Sequence, residues 1–440
     1  MNFLKHAIYV FAAMLFYSCT SAKTINTATP ARLPINIIDP IIAEHQDGTT
    51  DSLLQNILMQ HSGIAEILKK KNIYNIQIIY TQINRDAANK PSFVNYYFNI
   101  NPDKYFYPAS TVKLPVALLA LQKANELSAK GINKNTTMIT EAAFSGQTVT
   151  YNDPLTPSGK PNIADYVKRI FLVSDNEAYN RLYEFAGQEY INSELQKRGF
   201  VKSQIRHRLD IFLTEEENRH TNPLSFYNDS NRLVYSQPEN VSKWKFPLRK
   251  DSIGRSYYEN DKLVKKPMNF SLKNKFTLPD AHDILKSLLF PEAVDAKQRF
   301  NLTEDDYRLV YKYMSAYPSE IVYPPYDTVT YFDAYSKFLL LGAEPGRGTK
   351  QIRIFNKEGD AYGQLTDVAY IVDFDKKIEF MVSATIYCNK NEILNDEIYE
   401  YDTIGYPFLK NLGKVLYDYE LKRPRKYVPD LSRFKITYDK

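Results

Sequence analysis

A serine and a lysine lie one helical turn apart at the start of a long apolar segment. Ser110 and Lys113 begin a run that continues to Leu121 with no charged residue after the lysine. Residues three apart share one face of a helix, so the Lys113 amine is predicted to lie beside the Ser110 hydroxyl. Such an amine accepts the serine proton when burial or nearby positive charge lowers its pKa. The pair predicts a nucleophile that needs no histidine; the alternative is an N-cap serine followed by a solvated lysine.

Two further motifs favour the catalytic interpretation. The tripeptide Ser-Asp-Asn at 174–176 follows a predicted helix, and Lys-Glu-Gly at 357–359 lies in a predicted strand. With the Ser-x-x-Lys motif they resemble the three-part signature of class A β-lactamases and penicillin-binding proteins. The resemblance covers most of residues 50–420. It implies a serine hydrolase that forms an acyl-enzyme and needs no cofactor.

The resemblance assigns a role to each polar group of the motifs. Ser110 would attack a carbonyl carbon with Lys113 as its base, and Ser174 would pass a proton between Lys113 and the leaving group. Lys357 would hold positive potential over the site, which lowers the pKa of Lys113. Asn176 would bind the acylamino group of the substrate and steady Lys113.

The third motif is implied to bind substrate. First-turn N–H groups of a helix lack a helical partner, so the Ser110 N–H can supply half of an oxyanion hole. By resemblance the Asp360 N–H, just past Gly359, supplies the other half. Glu358 stands where the family has threonine or serine. If its carboxylate faces the cleft, it would repel the carboxylate of a penicillin or of a D-Ala-D-Ala peptide, so we expect low affinity for such antibiotics.

The group that would deacylate the enzyme stays open. Class A enzymes use a glutamate acting through a water. Here the segment 206–210 resembles the start of the loop that carries it, and Glu215, Glu216 and Glu217 follow, but Glu-x-x-Leu-Asn is absent. One of the three could reach the acyl bond, or all could form a solvated acidic turn. His207 is predicted to be a surface residue.

The N-terminus predicts export and lipidation. Lys5, an apolar stretch at 7–17 and a small residue before Cys19 have the pattern of a secretory signal, and the stretch is too short to span a membrane. The cysteine resembles a bacterial lipoprotein processing site. We therefore expect a signal peptide at 1–18 and a lipidated tether at 19–45. The protein would lie in the bacterial cell envelope, anchored through Cys19 and facing the periplasm.

Composition excludes several other kinds of site. The chain has two cysteines, so lipidation of Cys19 leaves Cys388 without a disulfide partner, as a buried inert thiol. The six histidines lack the spacing of metal ligands, and no metal is expected. A net charge of +5 is mild and argues against a nucleic-acid partner. We expect a monomer that binds a small-molecule β-lactam or a peptidoglycan stem peptide.

Hydrophobic periodicity and the resemblance together predict an α/β (α+β) domain at 46–440 of the β-lactamase/transpeptidase type. An antiparallel sheet flanked by N- and C-terminal helices would pack on an all-helical lobe, with insertions at about 224–275 and 315–348. A cleft is expected between sheet and lobe. The expected elements are helices at 52–70, 277–290 and 403–420, and strands at 75–83, 92–100, 351–356, 366–373 and 377–387.

Three functions from different classes fit these observations. The leading one is a serine hydrolase of class A β-lactamase type that cleaves a β-lactam or a related amide or ester. The second is a peptidoglycan DD-peptidase or transpeptidase, because loss of the deacylating glutamate leaves a slow-turnover acyl-enzyme. The third is a catalytically silent wall-binding lipoprotein, against which the intact polar groups of the three motifs argue.

Overall fold

A five-stranded antiparallel sheet lies at the centre of the computed structural model, which describes residues 48–440. In sheet order its strands are 352–361, 364–373, 378–387, 77–85 and 91–98, so early and late segments of the described chain pair with each other. The second and third of these strands are buried along almost their whole length. Helices cover both faces of the sheet, which explains why these strands have continuous apolar runs rather than alternation.

Ten α-helices occur in residues 48–440: α1 (Ser52–Met59), α2 (Ser62–Leu68), α3 (Lys113–Glu126), α4 (Ile163–Val173), α5 (Asn176–Ala186), α6 (Gln188–Lys197), α7 (Glu215–Arg219), α8 (Leu278–Leu289), α9 (Glu304–Ser315) and α10 (Tyr406–Lys422). The strands of the same part of the chain are β1 (Gln77–Arg85), β2 (Pro91–Phe98), β3 (Thr137–Thr140), β4 (His220–Thr221), β5 (Leu224–Tyr227), β6 (Leu233–Gln237), β7 (Asn240–Val241), β8 (Ser252–Ile253), β9 (Ser256–Glu259), β10 (Lys262–Val264), β11 (Met268–Asn269), β12 (Ile352–Ala361), β13 (Gln364–Asp373), β14 (Ile378–Tyr387) and β15 (Ile393–Leu394).

The N- and C-terminal helices pack together on one face of the sheet, as predicted. Helices α1, α2 and α10 share one hydrophobic core with the outer face of β12–β14. The single helix predicted at 52–70 is in fact two, separated at His61, which is extended. Leu58 and Ile64 are both fully buried. On one continuous helix, six residues correspond to about 240° of rotation, so the break is what lets both side chains face the core.

The other face of the sheet packs against α8 and the helical lobe around α3. The predicted start of α8 is confirmed, since the Thr277 side chain accepts the Asp280 N–H at 3.2 Å. Helix α3 is buried along most of its length and packs on α4, α5 and α6. It is the central helix of the lobe, and its first residue is Lys113.

The lobe is not all-helical, which corrects the prediction for this region. β3, β5 and β6 form one small antiparallel sheet, and the predicted insertion at 224–275 consists of β5–β11. In β5 the buried Leu224 and Phe226 alternate with half-buried neighbours, the two-residue period of a strand. Runs this short, separated by turn residues, carry too little periodicity to be distinguished from loops.

The predicted signal peptide at 1–18 and tether at 19–45 lie outside the described residues. From residue 48 onward the chain forms one compact unit. No helix in that part of the chain is both long enough and apolar enough to cross a bilayer.

Candidate active site

Ser110 lies in a 3₁₀ turn that leads directly into the central helix of the lobe. The turn comprises Ala109–Val112, and α3 begins at Lys113. Residues three apart in a 3₁₀ turn stand above one another, so this geometry keeps Ser110 and Lys113 on one face. Ser110 is half-buried and lines a cavity, whereas Lys113 is fully buried.

A residue with left-handed backbone geometry brings the second motif to Lys113. Helix α4 ends at Val173, and the chain reverses at the next residue, Ser174, whose φ is +57°. Asp175 then caps α5 by accepting the Ala178 N–H at 2.9 Å. The reversal and the cap together place Ser174 and Asn176 against the Lys113 amine.

The Lys113 amine is bound by this second motif. Its Nζ donates to Asn176 Oδ1 at 2.6 Å, to Ser174 Oγ at 3.3 Å and to the Ser174 carbonyl oxygen. Burial, followed by the positive charge of Lys357, lowers the pKa of Lys113 to about 7. A large fraction of such an amine is neutral near pH 7, and only the neutral form accepts a proton. Lys113 can therefore act as a general base.

The Ser174 hydroxyl connects two lysines. Lys357, on β12, donates from Nζ to Ser174 Oγ at 2.9 Å, and Lys113 contacts the same oxygen. A hydroxyl that accepts from an ammonium keeps its own proton to donate, so Ser174 can transfer a proton within the site. Hydrogen bonds thus connect four residues of the sequence prediction, Lys113, Ser174, Asn176 and Lys357, and the fifth, Ser110, lines the same cavity as Asn176.

Strand β12 runs past Ser110 at close range. A Cβ on Gly359 would lie 2.7 Å from the Ser110 nitrogen and 2.8 Å from the Pro108 carbonyl oxygen, so only glycine fits here. Asp360 follows and lines the same cavity as Ser110. The backbone around Asp360 and the Ser110 turn are therefore neighbours, which an oxyanion hole shared between their N–H groups requires.

Glu358 is buried beside Lys357. Its Oε1 accepts from Lys357 Nζ at 2.8 Å, and both side chains are almost fully buried. Burial opposes ionisation of Glu358, but the Lys357 ammonium outweighs it and lowers the pKa of this carboxyl. Glu358 is not among the residues that line the cavity of Ser110. The expectation that its carboxylate faces the cleft is therefore not met in the described residues, and Glu358 acts on the site through its ion pair with Lys357.

The cavity beside Ser110 has a volume of about 350 Å³. This volume suits a small molecule or the end of a peptide. No cluster of three histidine, cysteine, aspartate or glutamate residues in the described part of the chain could hold a metal ion. The wall of the cavity combines the Asn176 amide with aromatic rings and charged groups, among them Tyr107, Arg208, Asp210, Phe212, Lys273, Asp360, Tyr362, Glu397 and Tyr399.

The glutamates predicted as deacylation candidates have other partners. They form the first turn of α7, where negative charge stabilises a helix N-terminus. Glu215 pairs with Arg206 at 3.0 Å, Glu216 contacts His220 at 3.2 Å, and Glu217 completes the capping box of its own helix. None of the three lines the cavity of Ser110. Their predicted role is not supported by this placement.

Residues 207–210 of the 206–210 segment line the cavity instead, and His207 and Asp210 among them were not assigned to the site from sequence. His207 stacks on Tyr107 with 6.4 Å between ring centroids, and its Nε2 accepts the Asn274 N–H at 3.1 Å. Burial lowers its pKa to about 3, so the ring is neutral and the prediction of a surface histidine is wrong. Asp210 is exposed and has a φ of +56°. The resemblance of this segment to the family's loop was the signal that could have identified both.

Comparisons with known proteins give one family and a set of structural neighbours. Residues 61–299 match the sequence model described as the beta-lactamase enzyme family. The structure of PBP-A is 13% identical, with a TM-score of 0.46, covering 85% of this chain and 97% of that one. A beta-lactamase from Sphaerobacter thermophilus is 15% identical, with a TM-score of 0.44, covering 83% and 98%. No curated protein matches the chain.

Proposed function

The chain belongs to the beta-lactamase enzyme family, and on that premise we propose that it is a serine hydrolase of class A β-lactamase type, acylated on Ser110. The observation that carries the proposal is the Lys113 amine, which is fully buried, has a pKa of about 7 and follows the cavity-lining serine by one turn. Burying an ionisable amine costs stability. A purely structural position would favour an apolar side chain there.

The acylation step follows from these contacts. Neutral Lys113 takes the Ser110 hydroxyl proton as Oγ attacks the carbonyl carbon of an amide or ester. The Ser110 and Asp360 N–H groups hold the charge that forms on the carbonyl oxygen. The bond to the leaving group then breaks, and the proton on Lys113 reaches the leaving atom through Ser174. The acyl group stays on Ser110, and Lys113 is neutral again.

Deacylation requires a water and a base. Asp210 is the carboxylate of the 206–210 segment that lines the cavity, so we assign this role to it in place of Glu215–Glu217. An aspartate reaches one methylene less far than a glutamate, and we expect slow release of the acyl group. The same observation favours the second candidate, a peptidoglycan DD-peptidase or transpeptidase whose acyl-enzyme persists.

The intact mass of the protein after brief exposure to a penicillin, followed over time, tests the proposal. We expect an adduct of one drug molecule, because the proposed nucleophile Ser110 lines the cavity and the proposed base Lys113 follows it by one turn. Loss of the adduct within minutes would identify a β-lactamase, and a persistent adduct would identify penicillin-binding behaviour. A fluorophosphonate run in parallel reports on Ser110 whatever the substrate. If neither reagent forms an adduct, acylation of Ser110 is contradicted. The remaining candidate function is then that of a catalytically silent wall-binding lipoprotein.

We further propose that the protein is a lipid-anchored envelope protein attached through Cys19. The support is the sequence pattern around this residue, together with the other cysteine of the chain. Cys388 is free and fully buried, and burial raises the pKa of its thiol. A buried thiol of this kind is inert, so Cys19 is the position left for modification.

Cys19→Ser is expected to abolish incorporation of a fatty-acid label into the protein in cells. The serine hydroxyl cannot replace the thiol to which lipoprotein processing attaches the lipid. Cys388→Ser is the matched control and should incorporate the label as the natural protein does. Labelling of Cys19→Ser at the control level would contradict the assigned anchor.

A further inference from the structure

Three carboxylates line the cavity of Ser110 without an ionic partner. Asp210, Asp360 and Glu397 are all exposed, and none forms an ion pair within 4 Å with any residue in 48–440. Desolvation of the Asp360 carboxyl and the charge of Glu358 raise the pKa of Asp360, although the nearby charges of Lys357 and Lys113 oppose this shift. Each belongs to a different part of the chain: the 206–210 segment, β12 and the loop before α10. The negative potential is therefore distributed around the cavity rather than confined to one turn.

The cations of the cavity do little to balance these charges. Arg208 donates to Glu184 at 2.8 Å, and both side chains are buried, so its charge is already compensated. Lys273 is half-buried, and burial lowers its pKa. Among residues 48–440, the Lys273 ammonium, which is partly desolvated, is thus the one cation of the cavity lining that is not already paired, whereas the lining includes three carboxylates.

The lysines of the catalytic network add little further positive charge. Lys357 forms an ion pair with Glu358, 2.8 Å away, which offsets part of its charge. Lys113 has a pKa of about 7 and is uncharged in much of the population at neutral pH. Both lysines also act on Asp360, whose pKa their charges lower against the effect of desolvation. A substrate carboxylate placed near Ser110 would therefore meet ammonium groups that Glu358 and Asp360 already share.

Aromatic rings complete the cavity wall. Tyr362 contacts Tyr107 edge to face with centroids 5.1 Å apart, and Tyr399 and the fully exposed Phe212 line the same space. The negative faces of such rings attract cations, and more strongly when water is partly excluded. Carboxylates and rings together favour an ammonium or guanidinium group.

We propose that this site prefers acyl donors that carry a positive charge over acyl donors with a carboxylate beside the scissile bond. The positive group would lie between Asp360 and Glu397 against the tyrosine rings. This inference rests on the proposed acylation of Ser110 and names the class of substrate for the same site. It distinguishes the chain from enzymes that bind the carboxylate of a β-lactam.

This preference is tested with three aryl phosphonates of equal length. They differ only in the terminal group, which is an ammonium, a methyl or a carboxylate. The rate of covalent modification of Ser110 is measured for each by intact mass at low ionic strength. We expect the ammonium probe to react about tenfold faster than the methyl probe, and the carboxylate probe to react about tenfold slower, as unscreened charges within ~8 Å allow. At high ionic strength both rate ratios, ammonium to methyl and methyl to carboxylate, should move closer to one.

Variants assign the effect to particular residues. Asp360→Asn combined with Glu397→Gln should remove most of the preference for the ammonium probe, whereas Glu216→Gln, an exposed acid outside the cavity, should preserve it. Glu358→Thr frees Lys357 and should raise the rate with the carboxylate probe about tenfold, the equivalent of ~1.4 kcal/mol. Glu358→Thr should also lower the pKa of Lys113, because the Glu358 charge raises it.

The outcomes separate this inference from the proposed function. Modification by none of the probes would contradict acylation of Ser110 itself. Equal rates with all three probes, or a fastest reaction with the carboxylate probe, would overturn the charge preference and leave the acylation intact. The series on the natural protein gives this answer even if a variant fails to fold.

Discussion

Replacing Ser110 by alanine is expected to abolish covalent modification of the protein by fluorophosphonates and β-lactams. The loss should reach about 10⁵-fold or more, because removal of a nucleophile leaves no atom to form the acyl bond. The measurement is intact mass after timed exposure, followed by peptide mapping of the natural protein. Mapping should place the adduct in the segment that begins the central helix of the lobe.

Ser110→Ala should leave folding unchanged. The Ser110 hydroxyl makes no hydrogen bond within residues 48–440, and its removal should change the free energy of unfolding by less than about 0.5 kcal/mol. Ser128→Ala is the matched control, since Ser128 is exposed and begins another 3₁₀ turn at the far end of α3. Persistent modification of Ser110→Ala at any other serine would contradict the assignment of the nucleophile.

The sheet could be predicted from sequence because its strands are long and apolar. All ten residues of β13 and nine of the ten residues of β14 are buried. A long apolar run of this kind is compatible with few other structures. The break between α1 and α2 could not be predicted in the same way. The break lets Leu58 and Ile64 both pack in the core that α10 shares. Helix α10 lies more than 300 positions later in the chain, so the local sequence does not reveal this contact.

The pairing of Ser110 with Lys113 could be predicted because it is local, whereas its connections to the rest of the site are not. Ser110 and Lys113 are three residues apart, and any helical geometry keeps them together. The link from Lys357 to Ser174 joins residues 183 positions apart and depends on one residue with a positive φ at the end of α4. No periodicity encodes such a contact; the family resemblance supplied it.

The sequence left the role of Glu215–Glu217 open for a physical reason. A run of acidic residues looks the same in sequence whether it faces a cavity or caps a helix. Here Thr214 accepts the Glu217 N–H, and the acids stabilise the N-terminus of α7. Asp210, in contrast, lines the cavity from a turn with positive φ, and that conformation cannot be inferred from charge.

Replacing Lys113 by methionine is expected to lower the rate of acylation about 10²- to 10⁴-fold, the usual contribution of a general base. Methionine fills similar space but accepts no proton. In the natural protein the rate should rise with pH through about 7, because only the neutral amine is a base and burial, together with Lys357, lowers the pKa of Lys113 to that value. The pH-dependence should disappear from the residual rate of Lys113→Met.

Lys123→Met is the matched control for this experiment. Lys123 lies on the same helix, its pKa is lowered by burial to about 8, and it donates to the Phe185 carbonyl oxygen rather than to any residue of the site. Its removal should leave both the acylation rate and the pH profile close to those of the natural protein. If Lys113→Met keeps the natural rate and the same rise near pH 7, the proton leaves Ser110 by another route, and Lys113 serves only to hold Ser174 and Asn176 in position.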